Sequence, residues 1–215
     1  MPGPLHHESL FRSRDVLAAL ARRRVAICGA GALGSNLADT VVRQGVTQLR
    51  VIDHDRVEEH NIGTQIYAQA DIGQPKADAL RKHLFRVAGV EADSIRKRLA
   101  IENARALLKD ADLIVDCFDN SASRDAVQRH ARAANVATLH AGLFEAYGEV
   151  VWDEAYRVPA DVAGDVCDYP LARNLVQMTV AAAAETIFAF VASGVRKSWS
   201  ITLGDLQIRP LTPPV

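Results

Sequence analysis

A glycine-rich turn between an apolar run and a helical pattern, at residues 25–34, carries the clearest chemical signal in the sequence. Its three glycines have the Gly-x-Gly-x-x-Gly spacing that joins a buried strand to a helix in nucleotide-binding folds. The strand should turn at Gly29, the backbone at Gly31 should stay open to an anion, and Gly34 should let the helix pack closely. Backbone N–H groups at a helix start favour a phosphate. The predicted phosphate-binding residues are therefore Gly29, Gly31, Ala32, Leu33 and Gly34.

A carboxylate stands where such a site would hold a ribose. The strand predicted at residues 48–53 ends in Asp53, about 20 residues beyond the last glycine, from where an acid can bond ribose hydroxyls. Glycines with this spacing also occur in plain turns. Strand, glycines, helix, second strand and terminal acid in this order are more specific, and together they predict a nucleotide site.

Five further polar residues lie beyond the ends of predicted strands or near the start of a predicted helix. They are Asp55, Asn61, Lys76, Asp119 and Asn120. Ligands of open parallel sheets bind outside the carboxyl ends of the strands, so Asp119 and Asn120 should face the same crevice as the glycines. Asp119 can hold Mg²⁺ against ATP phosphates, because magnesium prefers one or two carboxylates together with phosphate oxygens. Lys76 can reach a phosphate as a point charge.

Alternating strand and helix patterns predict an α/β fold with a Rossmann-like, doubly wound and mostly parallel sheet. Strands are predicted near residues 24–29, 48–53, 94–99, 112–116 and 136–140, and helices near residues 13–22, 32–44, 75–87, 102–109 and 122–134. Antiparallel strands follow near residues 148–152, 198–203 and 206–209, with a long helix at 173–193. The whole chain, 1–215, is expected to form a single domain, with loose tails at 1–10 and 210–215.

The composition is that of an ordinary soluble domain, with 49% apolar and 24% charged residues. A net charge of −1 gives no general attraction to nucleic acid or to a membrane surface. The apolar stretch 175–192 carries Glu185 near its middle, which is costly in lipid, so a buried core helix is predicted. Three scattered cysteines and the absence of a signal-peptide pattern favour the cytoplasm.

Four motifs occur in order along the chain. They are Gly-Ala-Gly-Ala-Leu-Gly-Ser from residue 29, Asp-x-Asp-x-Val-x-x-x-Asn from 53, Asp-Ile-Gly-Gln-Pro-Lys from 71 and Asp-Cys-x-Asp-Asn from 116. By these motifs the chain resembles the ThiF/MoeB/HesA family, the bacterial relatives of ubiquitin-activating enzymes, firmly over residues 10–150 and loosely beyond. The resemblance implies a homodimer that binds ATP and Mg²⁺. It also implies adenylation of the C-terminal carboxylate of a small ubiquitin-like carrier protein, ending in Gly-Gly, with release of pyrophosphate.

The resemblance also implies residue roles. Asn61 and Lys76 match phosphate contacts, and Asp119 matches the magnesium-linked acid. Arg124 matches an arginine common after the Asp-Asn pair. Arg14 matches, with poorly agreeing neighbours, the arginine that the family places in its partner's active site. These cations suit the chemistry, because an already ionised carboxylate must approach an anionic phosphate without any need for a general base.

Two departures from the family pattern stand out. Thr64 occupies the place of an arginine that normally meets the phosphates, and losing such a cation can cost on the order of 10³-fold in phosphoryl chemistry. Either Arg14 or Arg124 compensates, or adenylation is weak or absent. The paired CxxC motifs that hold structural zinc in many relatives are missing, so no zinc is expected.

Cys167 is the remaining candidate for catalysis, since some relatives carry a carrier-accepting cysteine in this region. The flanking Asp165 and Asp168 would raise the pKa of its thiol, which favours an ordinary loop cysteine.

Two other functions compete with adenylation. A dehydrogenase using NAD would share the glycines and Asp53, but it would not need Asn61, Lys76 or Asp119. A non-catalytic relative that binds nucleotide or a carrier tail would explain Thr64. The identity of the carrier and its pathway stay open.

Overall fold

The computed structural model describes residues 3–160 and 170–211. Its strands are β1 (Arg24–Cys28), β2 (Gln48–Ile52), β3 (Asp93–Ile95), β4 (Leu113–Asp116), β5 (Ala137–Phe144), β6 (Tyr147–Trp152), β7 (Trp199–Thr202) and β8 (Gln207–Pro210). Its helices are α1 (His6–Phe11), α2 (Arg14–Ala21), α3 (Ala32–Arg43), α4 (Lys76–Ala88), α5 (Ile101–Leu107), α6 (Ser121–Ala134) and α7 (Arg173–Ser193). Two short 3-10 turns lie at Glu59–Asn61 and Gln69–Asp71.

The strands form one sheet in the order β3-β2-β1-β4-β5-β6-β7-β8. The five strands from β3 to β5 pair in parallel, and β6, β7 and β8 add antiparallel strands to the far edge. The predicted fold class is therefore confirmed. The chain order reverses at β1, which lies between β2 and β4, and ligands of such sheets bind at this switch point, beyond the carboxyl ends of the strands.

The alternating side chains of β1 divide the core into two layers. Val25 and Ile27 pack towards α2, α3, α4 and α7, whereas Ala26 and Cys28 pack towards α5 and α6. Both faces of the central strands are thus covered by helices, and for this reason β1 and β4 are continuous apolar runs in the sequence.

Helix α7 is the predicted core helix. Within the described residues it is the one helix long and apolar enough to cross a membrane by length and composition. Here it packs against α3 and β6, and Leu175, Val176, Ile187 and Phe188 are buried. An added Cβ at Gly148 of β6 would collide with Thr179 Oγ1 of α7, so this glycine allows the helix to lie close to the sheet.

The structure corrects three predicted boundaries. Residues 6–10, expected in a loose tail, belong to α1, and Arg12 beyond it pairs with Glu8 and with Glu185 of α7. The strand predicted at 94–99 is only the three-residue β3. Residue 210, expected in the C-terminal tail, is the last residue of β8, and residues 212–215 lie outside the described residues.

Candidate functional site

Gly29 ends β1 in a backbone conformation that favours glycine. Its φ is +92°, and an added Cβ would lie 2.9 Å from the carbonyl oxygen of Cys117. The Gly29 N–H donates to the carbonyl oxygen of Ile52 at 2.9 Å. The sharp turn after β1 is thus held between the ends of β2 and β4.

Gly34 has the packing role that the sequence predicts. An added Cβ would collide with the carbonyl oxygen of Gly29, which is backbone and cannot move aside like a flexible side chain. Only a residue without a side chain lets α3 approach the turn this closely.

Gly31 differs from both. Its φ of −78° is available to any residue, and an added Cβ would meet nothing within 4 Å. Neither the backbone conformation nor internal packing therefore requires glycine here. No side chain caps the start of α3, which leaves the N–H groups of its first turn, including those of Ala32 and Leu33, for an external acceptor. This arrangement suits a phosphate.

Asp53 fixes the glycine turn to the end of β2. Asp53 is 5% exposed, and its carboxylate accepts hydrogen bonds from the N–H of Ala30 at 2.6 Å and of Asp55 at 2.7 Å. Burial raises the pKa of Asp53, against the opposing effects of these two donors and of Lys76. Since a carboxylate offers about four acceptor positions, the oxygens can still accept from ribose hydroxyls.

Lys76 forms an ion pair with Asp55. Its side chain is 11% exposed, and Nζ lies 3.4 Å from Oδ2 of Asp55. The buried Tyr67 hydroxyl donates to the carbonyl oxygen of Ala30 at 2.8 Å and lies 3.3 Å from that of Lys76. Asp55 is thus the counter-ion of Lys76. Tyr67, which sequence reasoning missed, joins the glycine turn to the start of α4.

Asn61 is buried and stabilises its own loop. Its Oδ1 accepts from the N–H of Glu58 at 2.9 Å, which closes the short turn that begins at Glu59. Within the described residues, no hydrogen bond of its Nδ2 group is seen, so this donor can serve the predicted phosphate contact.

Asp119 and Asn120 follow β4 directly, beside the glycine turn. Asn120 caps α6, with Oδ1 accepting from the N–H of Ser123 at 2.9 Å, and its Nδ2 lies 3.4 Å from Oδ1 of Asp119. Asp119 is exposed and has no cationic partner among the described residues. An exposed carboxylate at this edge fits the hard oxygen donors that Mg²⁺ prefers. Asn120 positions this acid.

Arg124 lies inside the protein. The residue is 7% exposed, and its guanidinium donates to the Tyr156 hydroxyl at 2.7 Å and to the carbonyl oxygen of Ala141 at 3.0 Å. It also lies 3.7 Å from Oδ2 of the fully buried Asp116. These contacts hold Arg124 inside the protein, and none of them joins it to Thr64 or to the glycine turn.

His140 forms the centre of the same buried cluster. Its Nδ1 lies 2.9 Å from Asp116 and its Nε2 lies 3.2 Å from Asp153, while its ring stacks on Tyr156 with centroids 3.8 Å apart. Burial lowers the pKa of His140, but the two carboxylates outweigh it and the net shift is upward. The histidine is structural. Asp153 and Tyr156 were missed because they follow β6 with no motif around them.

The predicted roles of Arg14 and Cys167 stay predictions. Arg14 is the exposed first residue of α2, whose described contacts run to α7 and to the start of β2. None of these contacts joins Arg14 to the glycine turn. Cys167 lies outside the described residues. Cys28 and Cys117 line the core, and burial raises the pKa of Cys117 to about 12.

A cavity of about 700 Å³ lies elsewhere, between the start of β5 and residues 153–157. Arg132 and Arg196, which line it, already pair with Asp153 and Glu154. None of the described residues that line the cavity belongs to the crevice at the carboxyl ends of β1 and β4, so the two are separate.

Two curated relatives resemble part of the chain. Saccharomyces cerevisiae tRNA threonylcarbamoyladenosine dehydratase 2 is 33% identical over 115 residues, which are 51% of this chain and 26% of that protein. Thermus thermophilus sulfur carrier protein adenylyltransferase is 33% identical over 133 residues, which are 61% of this chain and 49% of that protein. The chain thus spans about a quarter to a half of the length of these relatives.

The fold is shared with a crystal structure of E. coli MccB with ATP, at a TM-score of 0.83 and 15% identity, over 98% of this chain and 72% of the MccB chain. A sequence model of the ThiF family matches residues 7–195. Since this match covers most of the chain and includes the glycine turn, Asp53, Lys76 and Asp119, the protein belongs to the ThiF family.

Proposed function

We propose that this chain binds ATP with Mg²⁺ and adenylates the C-terminal carboxylate of a small ubiquitin-like carrier protein that ends in Gly-Gly. Pyrophosphate is the second product. We propose further that the protein acts in the cytoplasm as a homodimer. Membership of the ThiF family and the similarity to a sulfur carrier protein adenylyltransferase support this activity.

The observation that carries the proposal is the open space at Gly31. No contact within the described chain requires glycine there, whereas Gly29 and Gly34 are each required by a backbone oxygen nearby. A ligand that lies against the Gly31 backbone explains its lack of a side chain. The uncapped start of α3 makes that ligand an anion.

The reaction needs alignment and charge neutralisation more than proton transfer. A carboxylate oxygen of the carrier attacks the α-phosphorus of ATP, and the bond from that phosphorus to the pyrophosphate oxygen breaks. The attacking carboxylate has a pKa of about 3.5 and is already ionised at neutral pH. Repulsion between the two anions is therefore the main barrier for the protein to lower.

The residues around the crevice divide this task. The N–H groups of α3 hold a phosphate, Asp53 orients the ribose, and Lys76 neutralises phosphate charge from a position fixed by Asp55. Asp119 would hold Mg²⁺, which supplies a Lewis acid that neutralises the phosphate oxygens.

Two alternatives remain distinct from this proposal. Thr64 favours a relative that binds nucleotide without catalysis. It lacks the positive charge of the usual arginine, and Arg124 is buried in contacts away from Thr64. A dehydrogenase using NAD fits poorly, since it would not use Lys76 and Asp119 and the chain belongs to the ThiF family.

Exchange of radiolabelled pyrophosphate into ATP separates these functions. We expect exchange that requires both Mg²⁺ and a candidate carrier, and that disappears when the carrier lacks its last two glycines. ATP binding without exchange for every candidate carrier would favour the non-catalytic function. Binding of NADH in preference to ATP would refute the proposal.

A further inference from the structure

The first residue of α7 reaches the loop in which Thr64 replaces the expected arginine. Arg173 donates a hydrogen bond from Nη1 to the carbonyl oxygen of Gly63 at 3.2 Å, across 110 positions in the sequence. The side chain is exposed and has no carboxylate partner among the described residues. Its contact is therefore with the backbone next to Thr64, and most of its donors remain available.

This loop lies directly on the start of α3. Asn36 donates from one Nδ2 group to the carbonyl oxygens of Ala32, at 2.7 Å, and Thr64, at 2.8 Å. Its Oδ1 accepts from Nε2 of Gln177 at 3.0 Å, one helical turn beyond Arg173 on the same face of α7. The first two turns of α7 therefore contact both this loop and α3, the helix whose start belongs to the proposed nucleotide site.

The charges at the crevice call for such a cation. Asp53, Asp55 and Asp119 are its carboxylates, while Lys76 is already paired with Asp55. A polyphosphate would add further negative charge, and Arg124 is buried in its own hydrogen bonds. A guanidinium on the loop surface is suited to phosphate because its fork can donate two parallel hydrogen bonds.

We propose that Arg173 supplies the positive charge that position 64 lacks, and that it binds the phosphates of ATP from the start of α7. This inference rests on the proposed function, since it assigns a residue to the same nucleotide site. It places the compensating cation on an element far along the sequence from the phosphate-binding motifs.

The affinity of the full chain for ATP with Mg²⁺, and for adenosine, tests this directly by calorimetric titration. Arg173→Ala is expected to weaken ATP binding by about tenfold, as for loss of one hydrogen bond to a charged group, and to change adenosine binding by less than about twofold. Arg22→Ala removes an exposed arginine at the end of α2 and is the matched control. It should bind ATP like the wild type.

Adding Thr64→Arg to Arg173→Ala should restore most of the lost ATP affinity, because it returns a guanidinium to the same loop. Continued weak binding would show that the loss came from a changed loop conformation and would overturn the inference. Unchanged ATP affinity in Arg173→Ala, or an equal loss for adenosine, would also overturn it. If the wild-type protein binds no ATP, the proposed function fails first, and this inference fails with it.

Discussion

Alanine substitutions at two glycines of one turn should separate binding from folding. Gly31→Ala adds a methyl group to open space at a φ of −78°. Alanine is a poorer helix N-cap than glycine, but it also lowers the entropy of the unfolded chain, and each effect is worth about 0.5–1 kcal/mol. We expect the free energy of unfolding to change by less than about 1 kcal/mol, and ATP binding to weaken at least about tenfold, because the methyl group takes the space of a phosphate.

Gly34→Ala should behave in the opposite way. The added carbon would overlap the carbonyl oxygen of Gly29, so α3 or the turn must move. Overpacking of this kind costs about 1–3 kcal/mol, and we expect a loss near the upper end because the obstructing atom is backbone. For a domain of this size, that loss lowers Tm by about 5–10 °C.

Thermal unfolding and titration with ATP and Mg²⁺ would measure both effects on the same samples. Gly204→Ala, an exposed position where an added Cβ also meets nothing, is the matched control and should change neither quantity. Wild-type ATP affinity in Gly31→Ala would refute our interpretation of the open space. An unchanged Tm in Gly34→Ala would refute the packing explanation.

Four further substitutions test two residues of the crevice, one residue of the buried cluster, and Cys167. Asp119→Ala and Lys76→Ala should each lower pyrophosphate exchange at least about tenfold at unchanged Tm, and wild-type rates in both would contradict their roles. Hydrogen bonds from His140, Arg132 and Gln128 outweigh burial and lower the pKa of Asp153 from 3.8 to about 2. Its stabilisation, about 2 kcal/mol, should be present above pH 4 and lost as the pH falls towards 2. Asp153→Asn should flatten that decline in urea unfolding, and an unaltered slope would count against it. Cys167→Ala should keep exchange, and any reductant-sensitive adduct with the carrier that survives the change excludes this cysteine as the nucleophile.

Local patterns predicted the central part of the fold well. The apolar runs of β1 and β4 and the glycines between β1 and α3 are set by neighbouring residues, and the structure places them as expected. β3 was overestimated because its three residues form an edge strand, for which the pairing partner β2 matters more than the local sequence.

The features of the site that the sequence does not predict are contacts between distant residues. Arg124 follows the Asp-Asn pair in sequence, but its orientation is decided by Tyr156 and Ala141, which belong to later elements. The contact of Arg173 with Gly63 could not be predicted from the sequence, because it depends on how α7 packs across α3. No spacing rule within one motif contains that information.

Asp53 joins two tasks that a protein engineer would wish to keep separate. Its carboxylate is the group that we propose for ribose recognition, and it is also the acceptor that holds the Ala30 N–H and therefore the turn before α3. Replacing this acid to accept a 2′-phosphorylated or deoxygenated nucleotide would remove the sugar contact. It would also remove the hydrogen bond that stabilises the turn. Altered nucleotide preference in this protein should therefore require a second substitution that supports the Ala30 amide.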